Sequence, residues 1–277
     1  MLGWKIAAYF AAGLLVASGV LLLLRPKGRF GRVAVAGVRE CGVVLALFSG
    51  WQLAGTLAHH NAAGAVDRGQ RLLDIEAWAH IDNEAWLNHW IHPHRLLSEA
   101  ANSFYIYGHF NGLIIFLAWV FIAHRQQYAR VRMSVVLLTA SCFFVHLITV
   151  APPRLLPAQN FVDIATVYGQ SVYGPTTLEV ADQLSAFPSV HVGWAALIAW
   201  YAWRISPGRW GWLGIAHFVT TSLVVVVTAN HYWLDGIAAM AILAAALAVQ
   251  ALVPVLLRAV RRPVVEPPAP AEEPALV

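Results

Sequence analysis

Two histidines forty positions apart, His191 and His231, head the residues in this chain that could do chemistry. The first lies in Ser185-Ala-Phe-Pro-Ser-Val-His-Val-Gly-Trp194, the second in Thr228-Ala-Asn-His-Tyr-Trp-Leu-Asp-Gly236. Asp235 follows His231 at i+4, so on a helix the two share a face. A carboxylate in that place can fix the imidazole tautomer and stabilise the cation that forms. His231 is thereby set up as a nucleophile and His191 as a proton donor. Pro188 suits the first turn of a helix, with Ser185 or Ala186 at or just before its cap. The N–H groups of Ser189, Val190 and His191 would then point outward with the positive end of the helix dipole, which favours an anion such as phosphate. Asn230 is the expected N-cap at the second site.

A lone histidine in an apolar helix is more often a hydrogen-bonded packing residue than a catalyst. Two on the same side, one with a carboxylate a turn away, reverse that weighting, and an ionisable residue such as Asp235 in an apolar segment is itself a functional candidate. The competing readings are a transporter and a bis-histidine haem protein. Neither gains anything from the Asp235 spacing or the Pro-Ser helix start. His146 and His217 have no partner apparent in sequence and read as packing.

The elements that must hold these residues are membrane helices. Of the 277 residues, 59% are apolar and 12% charged, and twelve are tryptophan; soluble domains run nearer a quarter charged. A crossing takes about 20 apolar residues. Spans are predicted at 4–24, 33–58, 103–124, 133–151, 188–203, 211–229 and 233–257, an all-α polytopic fold of about seven transmembrane helices with a six-helix core. Residues 1–32 read as a retained anchor and basic loop, since the positive charge follows the apolar run and no small-residue cleavage site is clear. Residues 33–258 form the membrane domain, and the Pro/Ala/Glu-rich 259–277 reads as a disordered tail. Loops after the first, third, fifth and seventh spans hold twelve Lys or Arg, against four in the opposite loops. This asymmetry puts the basic loops in the cytoplasm and both histidines at the outer face. The net charge of +4 thus reports topology, and no nucleic-acid partner is expected. Cys41 and Cys142 lie in apolar spans, without a disulfide or zinc pattern.

Between the second and third spans, residues 60–101 suit one or two interfacial amphipathic helices, punctuated by Gly64 and Pro93 and capped at Asp82 or Asn83. His80, His89, His92 and His94 are irregularly spaced and read as solvated rather than metal-binding. Arg68, Arg71 and Glu76 are stronger candidates, because a guanidinium near a phosphate site binds oxygen pairs in a fork; a surface ion pair is equally compatible. Tyr105 and His109, also i, i+4, offer a hydroxyl and an imidazole to a phosphate or head group, or else form part of an aromatic belt. Pro152 and Pro153 stiffen the exit of the fourth span and aim Arg154 across the site. The outer loop 152–187 carries Asp163, Tyr168, Tyr173, Glu179 and Asp182, and its length suits a lid or head-group pocket. Arg39 and Glu40 read as snorkelling or paired.

The run Pro188-Ser-Val-His-Val-Gly193, followed by His231-Tyr-Trp-Leu-Asp235, resembles the second and third signature motifs of the membrane type 2 phosphatidic acid phosphatase superfamily. Ala151-Pro-Pro-Arg-Leu-Leu-Pro157 resembles the first motif of its inositolphosphotransferase branch, the relatives of inositol-phosphorylceramide synthase. The resemblance covers about residues 33 to 258. It implies phosphoryl transfer from a lipid phosphate or pyrophosphate, with His231 attacking phosphorus, Asp235 supporting it and His191 protonating the leaving group. Arg154, Ser189, Gly193, Tyr105, His109, Arg68 and Arg71 are the candidate phosphate or substrate contacts. The family's usual motif lysine has no counterpart near the site, and Val225 stands where the third motif usually has arginine. Both departures point to the inositolphosphotransferase-like branch. Side-chain and helix N–H donors can cover the phosphate charge, so neither metal nor cofactor is expected. The expected partners are a lipid-linked phosphate and membrane lipid. Hydrolase and transferase remain open, as do the substrate lipid and the oligomeric state.

Overall fold

Apolar runs of this length satisfy their backbone in hydrocarbon by coiling into helices, and this chain does so almost throughout. The computed structural model describes residues 4–24, 28–58, 63–157, 160–171 and 183–260. Its helices are α1 (Trp4–Leu23), α2 (Gly28–Ala58), α3 (Ala65–Trp78), α4 (Glu84–Ile91), α5 (Arg95–Ser103), α6 (His109–Ala123), α7 (Arg125–His146), the one-turn α8 (Ile164–Val167), α9 (Val190–Ile205), α10 (Arg209–Val227) and α11 (Trp233–Val260). Among the described residues the extended pairing is a single isolated bridge between Val150 and Ser185.

Among the described residues, six helical stretches are long and apolar enough to cross a membrane: Trp4–Leu23, Phe30–Gly50, Arg95–Ala123, Arg125–His146, Arg209–Val227 and Trp233–Pro254. The other expected crossing, α9, has sixteen residues. At 1.5 Å per residue it is roughly 24 Å long, short of the roughly 30 Å hydrocarbon core. Its position explains the economy. Trp194, Leu197, Ile198 and Tyr201 are all buried, and with Val120 of α6, Leu138 of α7 and Leu243 of α11 they form the main core. Gly193 lets α9 lie close to both neighbours, since a Cβ there would sit 3.3 Å from Leu138 and 3.4 Å from Ala239.

Several predicted boundaries move. α7 starts at Arg125, eight residues before the expected span, and ends at His146. Two of its arginines, Arg125 and Arg132, find partners for their charged ends beside the helix. The Arg125 guanidinium lies 4.4 Å from the Phe121 ring, and Arg132 forms a close ion pair with Glu40 of α2. Glu40 also pairs with Arg39 at 3.2 Å, so this cluster ties the N-terminal helices to the core. The outer segment makes three helices rather than one or two. The third, α5, runs on through a π-turn at Phe104–Gly108 into α6, so that crossing begins at Arg95.

Beyond His146 the chain is held by bonds to distant segments. Val150 N–H donates to Leu184 O (2.7 Å), Ala186 N–H to Val150 O (3.2 Å), Ala151 N–H to Ala65 O (3.0 Å) and Arg154 N–H to Ala229 O (3.0 Å). These four bonds lash together the start of α3, the Pro-Pro-Arg run and both histidine segments. Tyr173, Glu179, Asp182 and residues 261–277 of the tail lie outside the described residues.

Candidate active site

His231 does not ride on a helix. After α10 the chain reverses at Ala229, whose φ is 55°, and the N–H groups of Asn230 and His231 both donate to Val225 O at 3.1 Å. Val225, standing in the usual arginine position, is thus a buried hinge for the histidine loop. α11 begins two residues later, at Trp233. Asn230 is therefore not the cap of α11; it bonds Thr228 instead. Tyr232 pins the loop from the other side, donating its hydroxyl to Ala151 O at 2.7 Å.

The imidazole of His231 is fixed in one tautomer by its contacts. Nδ1 lies 2.8 Å from Ala186 O and 3.0 Å from Asp235 Oδ2. A carbonyl and a carboxylate both accept, so Nδ1 carries a proton and Nε2 of the neutral ring holds the lone pair. Asp235 Oδ2 also accepts from Tyr232 N–H at 2.9 Å. His231 is 3% exposed and Asp235 0%.

That Nε2 faces His191 Nδ1 at 3.1 Å. Because the Nε2 of neutral His231 can only accept, the proton between the rings belongs to His191. His191 is placed by the start of α9, where the sequence expectation needs correction. The cap is Ser189, whose Oγ accepts from Val192 N–H, and the helix begins at Val190. Pro188 therefore precedes the helix. Nor is the Ser189 N–H an outward donor, since it bonds Asp235 O at 3.1 Å. The Val190 and His191 N–H groups remain as first-turn donors with no intrahelical acceptor. Tyr105 stacks on the His191 ring at 4.8 Å, and His109 meets it edge-on at 4.0 Å. Both aromatic walls come from the π-turn and the first residue of α6, and such turns recur at functional sites.

Arg154 is held beside this pair with its side chain 3% exposed. Its Nε donates to Asn230 Oδ1 at 2.8 Å and its Nη1 to Gln183 Oε1 at 3.2 Å, with Asp163 at 3.8 Å. Arg154, Asn230, Tyr105, Asn102, Asp163 and Gln170 line a small cleft next to the histidines. Arg68 turns elsewhere, donating to Thr149 O, Thr149 Oγ1 and Ala63 O. Arg71 is exposed on α3. Gly193 packs against Leu138 and Ala239.

A family model described as the PAP2 superfamily matches residues 70–249, a stretch holding Arg154, His191, His231 and Asp235. The chain belongs to the PAP2 superfamily. Comparison with curated proteins returns no match, and neither does comparison with solved structures. Membership makes this an integral membrane protein of a family of phosphatases and phosphotransferases. Helices α1 and α2 lie outside the matched region.

Around the PAP2 motifs, other residues tie the site together in ways sequence reading did not anticipate. His146, read as packing, bonds Pro188 O through Nε2 at 2.9 Å, steadying the turn that supplies both Ala186 O and Ser189. Glu76 points inward, with Oε1 accepting from Leu234 N–H at 2.7 Å. Glu84 Oε1 accepts from Trp233 N–H at 3.4 Å. These two carboxyls, 0% and 1% exposed, take the capping role expected of Asn230. The available signal was a pair of acidic residues on otherwise amphipathic outer helices, with nothing in sequence to show which way they faced.

Proposed function

We propose that this PAP2 protein transfers the phosphoryl group of a phospholipid or a polyprenyl-linked phosphate or pyrophosphate through a phosphohistidine at His231. The observation that carries the reading is the His231 contact set, with Nδ1 held by two acceptors and Nε2 left as a lone pair facing His191. That lone pair attacks phosphorus as the bond to the leaving oxygen breaks, and protonated His191 gives that oxygen its proton. Water or an alcohol then attacks the phosphoryl group, His191 takes its proton, and the P–N bond breaks to restore neutral His231. Asp235 stabilises the positive charge that appears on the ring during attack. Arg154 and the first-turn N–H groups of α9 stabilise the equatorial oxygens, the dominant contribution in phosphoryl transfer. Ser189 supports this indirectly, as the cap that orients α9. Tyr105 and His109 hold the His191 ring. Arg68 and Arg71 are assigned outer supporting roles.

The excess of basic residues on the opposite loops supports an outer-face site, open to substrate from the extracytoplasmic side. A head-group transferase of the inositolphosphotransferase type is the second reading. It is favoured by the likeness of Ala151–Pro157 to that branch's first motif, whose Arg154 lines the small cleft beside the histidines together with Asn102, Asp163 and Gln170. One experiment addresses both. Purified wild type and His231→Asn are given phosphatidic acid, phosphatidylinositol, polyprenyl phosphate and polyprenyl pyrophosphate, and free phosphate and head-group transfer are measured. Turnover by wild type and none by the variant is expected; no turnover of any lipid phosphate by wild type would overturn the reading.

A further inference from the structure

The first turn of α11 follows directly on His231 and contains Asp235, and three carboxyls from three elements converge on its N–H groups. Asp235 takes Tyr232 N–H, Glu84 of α4 takes Trp233 N–H, and Glu76 of α3 takes Leu234 N–H. A helix start leaves such donors free and favours negative charge, but three buried acids exceed what one helix end can neutralise. Among the described residues, the groups facing Glu76 are Glu84, Asp235, Tyr232 and His231 beyond them, with no lysine or arginine in the set. Glu76 Oε2 finds no hydrogen-bond donor. A buried anionic oxygen without a donor is costly, and a neutral carboxyl much less so.

We propose that Glu76 is a positioning residue that keeps its proton against Glu84, so that this acid pair caps α11 and fixes the His231–Asp235 contact without placing a further negative charge behind Asp235. The reading rests on the function proposed for His231, but the protonation of the pair can be tested apart from it. Burial, then the facing Glu84 carboxyl, push Glu76 up to about 9. The sign follows from linkage. A carboxyl that keeps its proton when folded and loses it when unfolded contributes stability at low pH, and that contribution falls from about pH 4.5 until about pH 9. Glutamine keeps the acceptor for Leu234 N–H and has no proton to lose.

The test uses the full chain in detergent, as wild type, Glu76→Gln and Glu76→Ala. Thermal midpoints are measured from about pH 5 to about pH 9, together with the infrared C=O band of a protonated carboxyl. Expected is a midpoint that falls with pH more steeply in wild type than in Glu76→Gln, and a carboxylic acid band present in wild type at neutral pH and missing from the variant. With a soluble short-chain lipid phosphate, Glu76→Gln should keep kcat within about threefold, while Glu76→Ala loses on the order of tenfold in kcat with KM little changed. Equal pH slopes in wild type and Glu76→Gln, or no band difference between them, would overturn the proposal. So would a glutamine variant as impaired as the alanine one. Should wild type turn over no lipid phosphate, the reading of His231 falls, while the pH slopes and the infrared band still decide the acid pair.

Discussion

His231 Nε2 and His191 Nδ1 stand 3.1 Å apart, close enough that the proposed nucleophile's lone pair is covered by its proton donor. A phosphate can reach Nε2 only by parting the two rings, and doing so sets the His191 proton beside the incoming oxygens. In the proposed reaction the pair is a closed latch that substrate opens.

Removing either member of the His231–Asp235 contact should therefore act on kcat. His231→Asn is expected to abolish turnover. Asp235→Asn should lower kcat by on the order of 10²–10⁴-fold, because an amide can present its NH₂ to Nδ1 and stabilise the wrong tautomer. Steady-state kinetics on purified variants with unchanged thermal midpoints checks both, and near-normal kcat in either would count against the tautomer argument.

The His191 variant separates acid catalysis from structural support. His191→Ala should abolish detectable turnover of alkyl phosphates, whose leaving oxygen needs a proton. With an aryl phosphate the first-step burst of phenol should be far less affected, since that oxygen leaves as the anion, while the later release of phosphate still needs His191 as base. Loss of the burst equal to the loss on alkyl phosphates would remove His191 from the acid role.

The aromatic walls predict a smaller effect. Tyr105→Ala takes away the ring stacked on His191 at 4.8 Å, and Tyr105→Phe keeps it. Stacking of this kind is worth about 0.5–1.5 kcal/mol, so kcat/KM should drop by roughly two- to tenfold in the alanine variant and stay close to wild type in the phenylalanine one. A large loss in Tyr105→Phe would instead give the hydroxyl a direct part in binding.

Gly69 on α3 tests how tightly the outer layer is seated. A Cβ there would lie 2.7 Å from both Ala151 O and the Tyr232 hydroxyl, and the Ala151 backbone is itself bonded to Ala65 O. Gly69→Ala should destabilise the protein by about 1–3 kcal/mol through overpacking and loosen the His231 loop through Tyr232. Thermal unfolding and kcat should fall together; an unchanged midpoint would show that the layer yields freely.

Much of this arrangement was legible in the residues themselves. Apolar run lengths marked the helices, and the spacing of His231 and Asp235 marked the contact found between them. Other features were hidden because they depend on which way a side chain turns. Nothing in the α3 or α4 sequence shows that Glu76 and Glu84 point at α11. The Ala186 carbonyl that fixes the His231 tautomer belongs to a backbone group, invisible to any residue-type pattern. The helix starts were misplaced for a related reason. Pro188 and Asn230 carry good local cap chemistry, but Ser189 and the outer carboxyls bind the same helix ends in three dimensions. Arg68 is a plausible phosphate ligand by type, and only the fold shows that its guanidinium is engaged by Thr149 and Ala63.

Charge compensation without a metal is open to direct challenge. The phosphoryl charge is assigned here to Arg154 and the first-turn N–H groups of α9, so activity in saturating chelator should equal activity without it. Loss on chelation, restored by a divalent cation, would require a ligand set that this assignment does not include.

The most direct measurement is to trap the covalent intermediate. Purified wild type is mixed with a labelled lipid phosphate, quenched in alkali where phosphohistidine survives, and digested for mass spectrometry. A phosphoryl group on the peptide carrying His231, absent from His231→Asn and accumulating at a rate consistent with turnover, is the expected result. Turnover without any phosphoryl on His231, or with the label on another residue, would contradict it.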